Sequence, residues 1–132
     1  MSTKTVHSEM TEMFGVVPEF MKSVPEHLID AEWELFKKVQ VEEHHLPNKY
    51  KELIGLGIAA ATKCKYCTYF HTKFAKLNGA TDEEIRETVA MASIVRHWST
   101  VLNGMQVDPA TFKRETDEIL ARAAEAAKAK SQ

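Results

Sequence analysis

Both cysteines of this 132-residue chain fall in one tetrapeptide, Cys64-Lys65-Tyr66-Cys67, and His71 follows four residues later. On a helix, positions 64, 67 and 71 follow i, i+3, i+7 spacing and share one face. Helical cysteines three residues apart have Cα atoms about 5 Å apart, close enough for a disulfide. The imidazole at i+4 reaches toward the second thiol. A helix start favours thiolate through its unpaired N–H groups and the positive end of its dipole. The chemistry this trio suits is thiol redox: one sulfur attacks, the other closes a disulfide, and the imidazole carries the proton.

Glu52 joins the trio by a folding argument. If helices over about 48–61 and 64–77 form an antiparallel hairpin about Thr62-Lys63, Glu52 faces residues 71–73, a turn or so from Cys67. A carboxylate there can orient the imidazole or pass a proton through a water. Its place beside Leu53 and Ile54, at the start of an apolar helix, implies the partial burial that suits a base. Proximity to the helix start favours Cys64 as the attacking sulfur, whereas proximity to the base favours Cys67. Peroxide needs a proton delivered to its leaving oxygen, so attack on peroxide is assigned to Cys67. In exchange with another disulfide, Cys64 could lead.

The elements that must position these residues are helical throughout. Apolar residues recur every three or four positions, and no strand-like alternation bounded by turn dipeptides occurs. Residues 8–22 read as one or two short turns broken at Gly15 and Pro18. A longer helix follows Ser23 to about Glu43, ended by His44-His45-Leu46-Pro47. The ELIGLGIAAA helix over about 48–61 contains Gly55 and Gly57, which lower helix propensity but allow close approach. The cysteine helix runs from about Cys64 to Leu77 and stops at Asn78-Gly79. Thr81 and Glu84 form a capping box for a helix through Leu102, closed by Asn103-Gly104. Asp108-Pro109 caps a last helix that decays into the alanine-rich tail 121–132. With no linker or compositional break, this reads as one all-α domain.

Composition narrows the partners. Seventeen Lys+Arg against nineteen Asp+Glu leave a net charge of −2, with no basic field for nucleic acid. The longest apolar stretch, Leu53–Ala61, is far short of the roughly 20 residues of a membrane helix. The opening MSTKTVHSEMTEM has no apolar core for a signal peptide, so a soluble, cytoplasmic protein is expected. No Gly-rich phosphate loop is present, and no organic cofactor is expected.

The pattern Glu52-x11-Cys64-x2-Cys67-x3-His71 resembles the signature of alkylhydroperoxidase AhpD-like proteins in the carboxymuconolactone decarboxylase superfamily. ELIGLGIAAAT before the cysteines and Gly79-Ala80-Thr81-x-x-Glu84-Ile85 after them agree with it. The resemblance covers about 47–104 and extends more loosely to the GVVPEF segment. It implies an all-helical thiol oxidoreductase assembling as trimers or hexamers. In it Cys67 attacks peroxide with help from Glu52 and His71, and Cys64 resolves the sulfenic acid to a disulfide. An external dithiol or redox protein then reduces that disulfide. Where the best-known members carry a histidine inside the C-x-x-C, this chain has Tyr66.

Blander readings of the same residues stand beside this one. A structural disulfide would close a loop too short to constrain the unfolded chain much. A zinc site with Cys64, Cys67, His71 and Glu52 as ligands would crowd three of them onto one helix. Attachment of a c-type haem is excluded because Thr68 follows Cys67. His71 and Glu52, taken singly, read as ordinary helix residues. His44-His45 reads as a solvated helix end; Tyr66, Phe70, Phe74 and Leu77 read as packing, and His97-Trp98 as packing or interface. A decarboxylase of cyclic lactone acids and a non-enzymatic assembly protein remain the alternative functions.

Overall fold

The computed structural model describes all 132 residues as seven α-helices and one π-helical turn. In chain order these are α1 (Thr3–Phe14), α2 (Glu19–Lys22), α3 (Ile29–Phe36) running into the π turn (Lys37–Val41), α4 (Asn48–Ala61), α5 (Lys65–Leu77), α6 (Asp82–Gly104) and α7 (Pro109–Lys130). No helix is long and apolar enough to cross a membrane.

The N-terminal third is more ordered than its polar sequence suggests. Ser2 accepts a hydrogen bond from the Thr5 amide and starts α1, which buries Val6 and Met10. With Met21, Ile29 and Trp33 these make the fully buried cluster of the protein, flanked by Phe14 and Phe36. Gly15, at φ 75°, ends α1 in the left-handed conformation, so the expected break there holds while the short turns before it are in fact one 12-residue helix. The helix expected from Ser23 begins only at Ile29. Pro25 lacks an amide hydrogen and instead starts a turn in which Leu28 N–H donates to the Pro25 carbonyl. The end of that helix is the π turn, closed by Glu42 N–H on the Lys37 carbonyl.

The α4–α5 hairpin forms where the sequence places it, and its turn has a specific geometry. Lys63 N–H donates to the Ala60 carbonyl and Cys64 N–H to the Ala59 carbonyl, with Lys63 at φ 58°. This is a Schellman ending, with lysine in the left-handed position usually held by glycine. It leaves no spare residue between the helices, since Cys64 both completes the end of α4 and caps α5. Thr81 and Glu84 make the capping box of α6. That helix ends at Gly104, two residues past Leu102 and within the expected Asn103-Gly104 stop; Met105 is its C-cap, and the left-handed residue is Gln106. The tail does not decay, as α7 is continuous to Lys130, consistent with its alanine content.

Burial is sparse. Ten of 132 residues are buried, and neither α6 nor α7 contributes one. Ile58, Met91, Trp98 and Ile119 are among the large apolar side chains left open to solvent.

Candidate active site

The hairpin brings Glu52 of α4 onto His71 of α5, with His71 Nδ1 2.7 Å from Glu52 Oε2. Glu52 is the only charged residue among those buried, and the His71 side chain is 19% exposed. An ionised carboxylate can only accept, so Nδ1–H donates to it and Nε2 is left as the basic nitrogen. Phe70 packs edge-on against the ring, with centroids 5.3 Å apart. The ring also lies flat against the α4 backbone at Gly55. A Cβ placed on Gly55 would stand 2.7 Å from both Nδ1 and Cε1 of His71. The close approach expected at this glycine is therefore real, but the approaching group is the imidazole. The signal was present in the sequence: Gly55 lies three residues after Glu52, on the same face of α4.

Both cysteines are free thiols at the start of α5, Cys64 half-buried and Cys67 exposed. Cys64 Sγ accepts the Cys67 amide hydrogen at 3.2 Å, as an N-cap side chain does. A hydrogen bond from the Cys67 side chain, and then those from backbone amides, hold the Cys64 thiol below the ordinary cysteine range. The same contact with Cys64, together with desolvation, pushes the Cys67 thiol up. Of the two thiols, Cys64 is therefore the more readily ionised. Three lysines, Lys63, Lys65 and Lys73, line the shallow groove in which Cys64 lies.

The four residues singled out in the sequence thus occupy one hairpin, the dyad buried and the thiols open. The imidazole bonds to Glu52 and to neither sulfur. No three His, Cys, Asp or Glu side chains converge in a geometry able to hold a metal ion, so the four do not form a ligand set. His44 is exposed at its helix end, beside Glu42. Tyr66 is 76% exposed, whereas Phe70 and Phe74 stack on one another at 4.4 Å and line a cavity that Glu52 shares.

Comparison with known proteins bears on the fold that carries this hairpin. The crystal structure of an alkylhydroperoxidase AhpD core from Rhodospirillum rubrum superposes with a TM-score of 0.70 at 27% identity, covering 83% of this chain and 85% of that one. A putative carboxymuconolactone decarboxylase from Burkholderia xenovorans shares the fold, with a TM-score of 0.57 at 24% identity over 70% of this chain and 74% of that one. An uncharacterised protein of the cox locus of Paracoccus denitrificans is 34% identical over 68 residues, which are 52% of this chain and 61% of that protein. The chain therefore spans less than two thirds of that relative's length. The sequence model of the carboxymuconolactone decarboxylase family matches residues 23–108, from the turn before α3 to the cap of α7, and takes in the whole dyad and both thiols. The chain is an AhpD-like member of the carboxymuconolactone decarboxylase family.

Proposed function

We propose that this protein is a dithiol oxidoreductase that reduces peroxides, and that the same thiol pair exchanges with disulfides. The observation that carries this reading is the Glu52–His71 pair, with His71 one helical turn from Cys67 and two from Cys64, both of them free thiols. Cys67 attacks the peroxide. Its proton passes to His71, across a bridging water or the peroxide itself, and Glu52 stabilises the imidazolium. The O–O bond breaks as the S–O bond forms, and the leaving oxygen takes the proton back. Cys64 then attacks the Cys67 sulfenic acid, the S–O bond breaks as the disulfide closes, and the Cys64 proton leaves with the departing hydroxide as water. A dithiol reductant, small or protein-borne, returns the pair to its starting state.

The two thiols are suited to different steps. The Cys67 thiol is pushed up by its neighbour and so depends on a base, while the Cys64 thiol is the more readily ionised of the two. Reduced protein mixed with hydrogen peroxide in the presence of excess dithiol tests this. Cys67→Ser should abolish turnover, and Cys64→Ser should leave a sulfenic acid that a dimedone probe captures. Glu52→Gln and His71→Ala should each slow peroxide reduction about 100-fold while leaving Cys64 alkylation unchanged. Peroxide reduction at the wild-type rate in the two dyad variants would overturn the relay.

Decarboxylase-like acid–base chemistry uses the same family and the same dyad without the thiols. Against it stands charge: no lysine, arginine or histidine lines the cavity that Glu52 shares, so nothing there neutralises a carboxylate substrate. Assembly into oligomers belongs to the proposal as well. It is supported by the two long helices, α6 and α7, neither of which has a fully buried residue within the chain.

A further inference from the structure

Between the N-terminal helices and the α4–α5 hairpin lies a cavity of about 570 Å³. Five phenylalanines line it, among them Phe20, Phe70 and Phe74, and its polar groups come from Gln40, Asn48, Glu52 and Asn78 alone. Neither sulfur is on its wall. Two features of the polar side distinguish it from a plain apolar void. Glu52 Oε2 is taken by His71, and its second oxygen accepts no hydrogen bond within the chain while keeping some contact with solvent. Asn48 donates through Nδ2 to the Val41 carbonyl at 3.1 Å, which fixes the amide orientation, and its Oδ1 is buried without a partner. The wall thus carries two acceptors lacking donors, one of them a carboxylate, and no cation.

We infer that this cavity is a binding site for a neutral molecule with an aromatic or branched hydrocarbon body and one O–H donor, which meets Glu52. Each part of that description follows from the lining. Phenylalanine faces take an apolar body and gain from aromatic contact. An unpaired buried acceptor favours a ligand that brings a hydrogen, since leaving it unmade costs the full desolvation of the group. An anion is rejected, because it would enter a low-dielectric space already holding an unneutralised carboxylate. The site is also placed for the proposed chemistry. Phe70 and Phe74 follow Cys67 at i+3 and i+7 along one side of α5, with Cys67 one turn nearer the helix start than the first of them. The π turn supplies Gln40 and Val41 to the opposite wall, and Lys51 Nζ secures it on the Val39 and Glu42 carbonyls at 2.7 and 2.6 Å.

This inference deepens the peroxidase reading through their shared Glu52, but its test needs no turnover. Binding of three probes to the reduced full-length protein is measured by titration calorimetry and amide chemical shifts: 2-phenyl-2-propanol, its methyl ether, and 4-isopropylbenzoate. The alcohol is expected to bind at least tenfold more tightly than either of the others, shifting amides of α5 and the π turn. Val41→Trp, at the partly exposed wall, should weaken the alcohol at least tenfold. Glu52→Gln should keep alcohol binding within a few-fold and narrow the preference over the benzoate, a change that loss of packing alone does not produce. Equal affinity for the three probes, or no binding of any, would overturn the site and leave the peroxidase reading standing. Binding as described without any peroxide turnover would support the site and sink that reading instead. A changed assembly size for Val41→Trp, with no probe bound to wild type, would assign the cavity to a neighbouring subunit and also overturn the proposal.

Discussion

Replacing Gly55 by alanine should disable the dyad without touching either of its members. The added Cβ would stand 2.7 Å from the His71 ring, and ordinary contact begins near 3.4 Å, so the ring must retreat by about 0.7 Å. The same retreat stretches the 2.7 Å bond to Glu52 beyond the 2.7–3.2 Å range of N–H···O hydrogen bonds. Phe70, packed edge-on against the ring, restricts the directions in which it can swing. The helix gains about 1 kcal/mol of propensity from alanine, against about 1–3 kcal/mol for a buried hydrogen bond left unmade. The net cost is therefore about 0–2 kcal/mol, small enough for the variant to fold. Loss of orientation is the larger effect, and peroxide reduction should fall about 100-fold. The assay is steady-state peroxide consumption, alongside thermal unfolding and the titration of the His71 ring by NMR. Gly57→Ala is the internal control, because a Cβ there meets only Thr88 Cγ2, at 3.8 Å. Full activity and an unchanged His71 titration in Gly55→Ala would refute the claim that this glycine seats the imidazole.

Two further outcomes follow from the charge around the thiols. In wild type the Cys64 thiol should alkylate with a pH midpoint below the ordinary value of about 8.5, since its folded-state acidity is increased. Cys67→Ala removes the largest cause and should move that midpoint upward, whereas Cys64→Ala should bring the raised Cys67 midpoint down; mass-resolved alkylation across pH reads both. Combined Lys63→Glu, Lys65→Glu and Lys73→Glu changes should slow attack on an anionic aromatic disulfide about tenfold at low salt, with little effect on a neutral one. Equal slowing of both reagents would show damage to the thiols themselves.

The sequence alone determined the helical class, the α4–α5 hairpin, the capping box at Thr81 and the four residues at the site. These are local matters: apolar spacing sets helix faces, proline and capping side chains set helix starts, and a two-residue turn lets opposing positions be counted across the hairpin. Counting was enough to set Glu52 against His71. Local signals erred where propensity and context disagree, as in the polar stretch that becomes α1 because Val6 and Met10 find Trp33 and Ile29, and in the alanine-rich tail, which α7 carries to Lys130. Only the tertiary structure decided that Cys64 Sγ takes the Cys67 amide hydrogen, which favours ionisation of Cys64 over Cys67 although both occupy the helix start. It also decided that Gly55 lies under the imidazole and that Glu52 has one oxygen on His71 and the other without a partner beside an apolar cavity. That cavity is built from residues as distant in sequence as Phe20 and Leu77, and no spacing rule relates positions that meet only when separate helices pack.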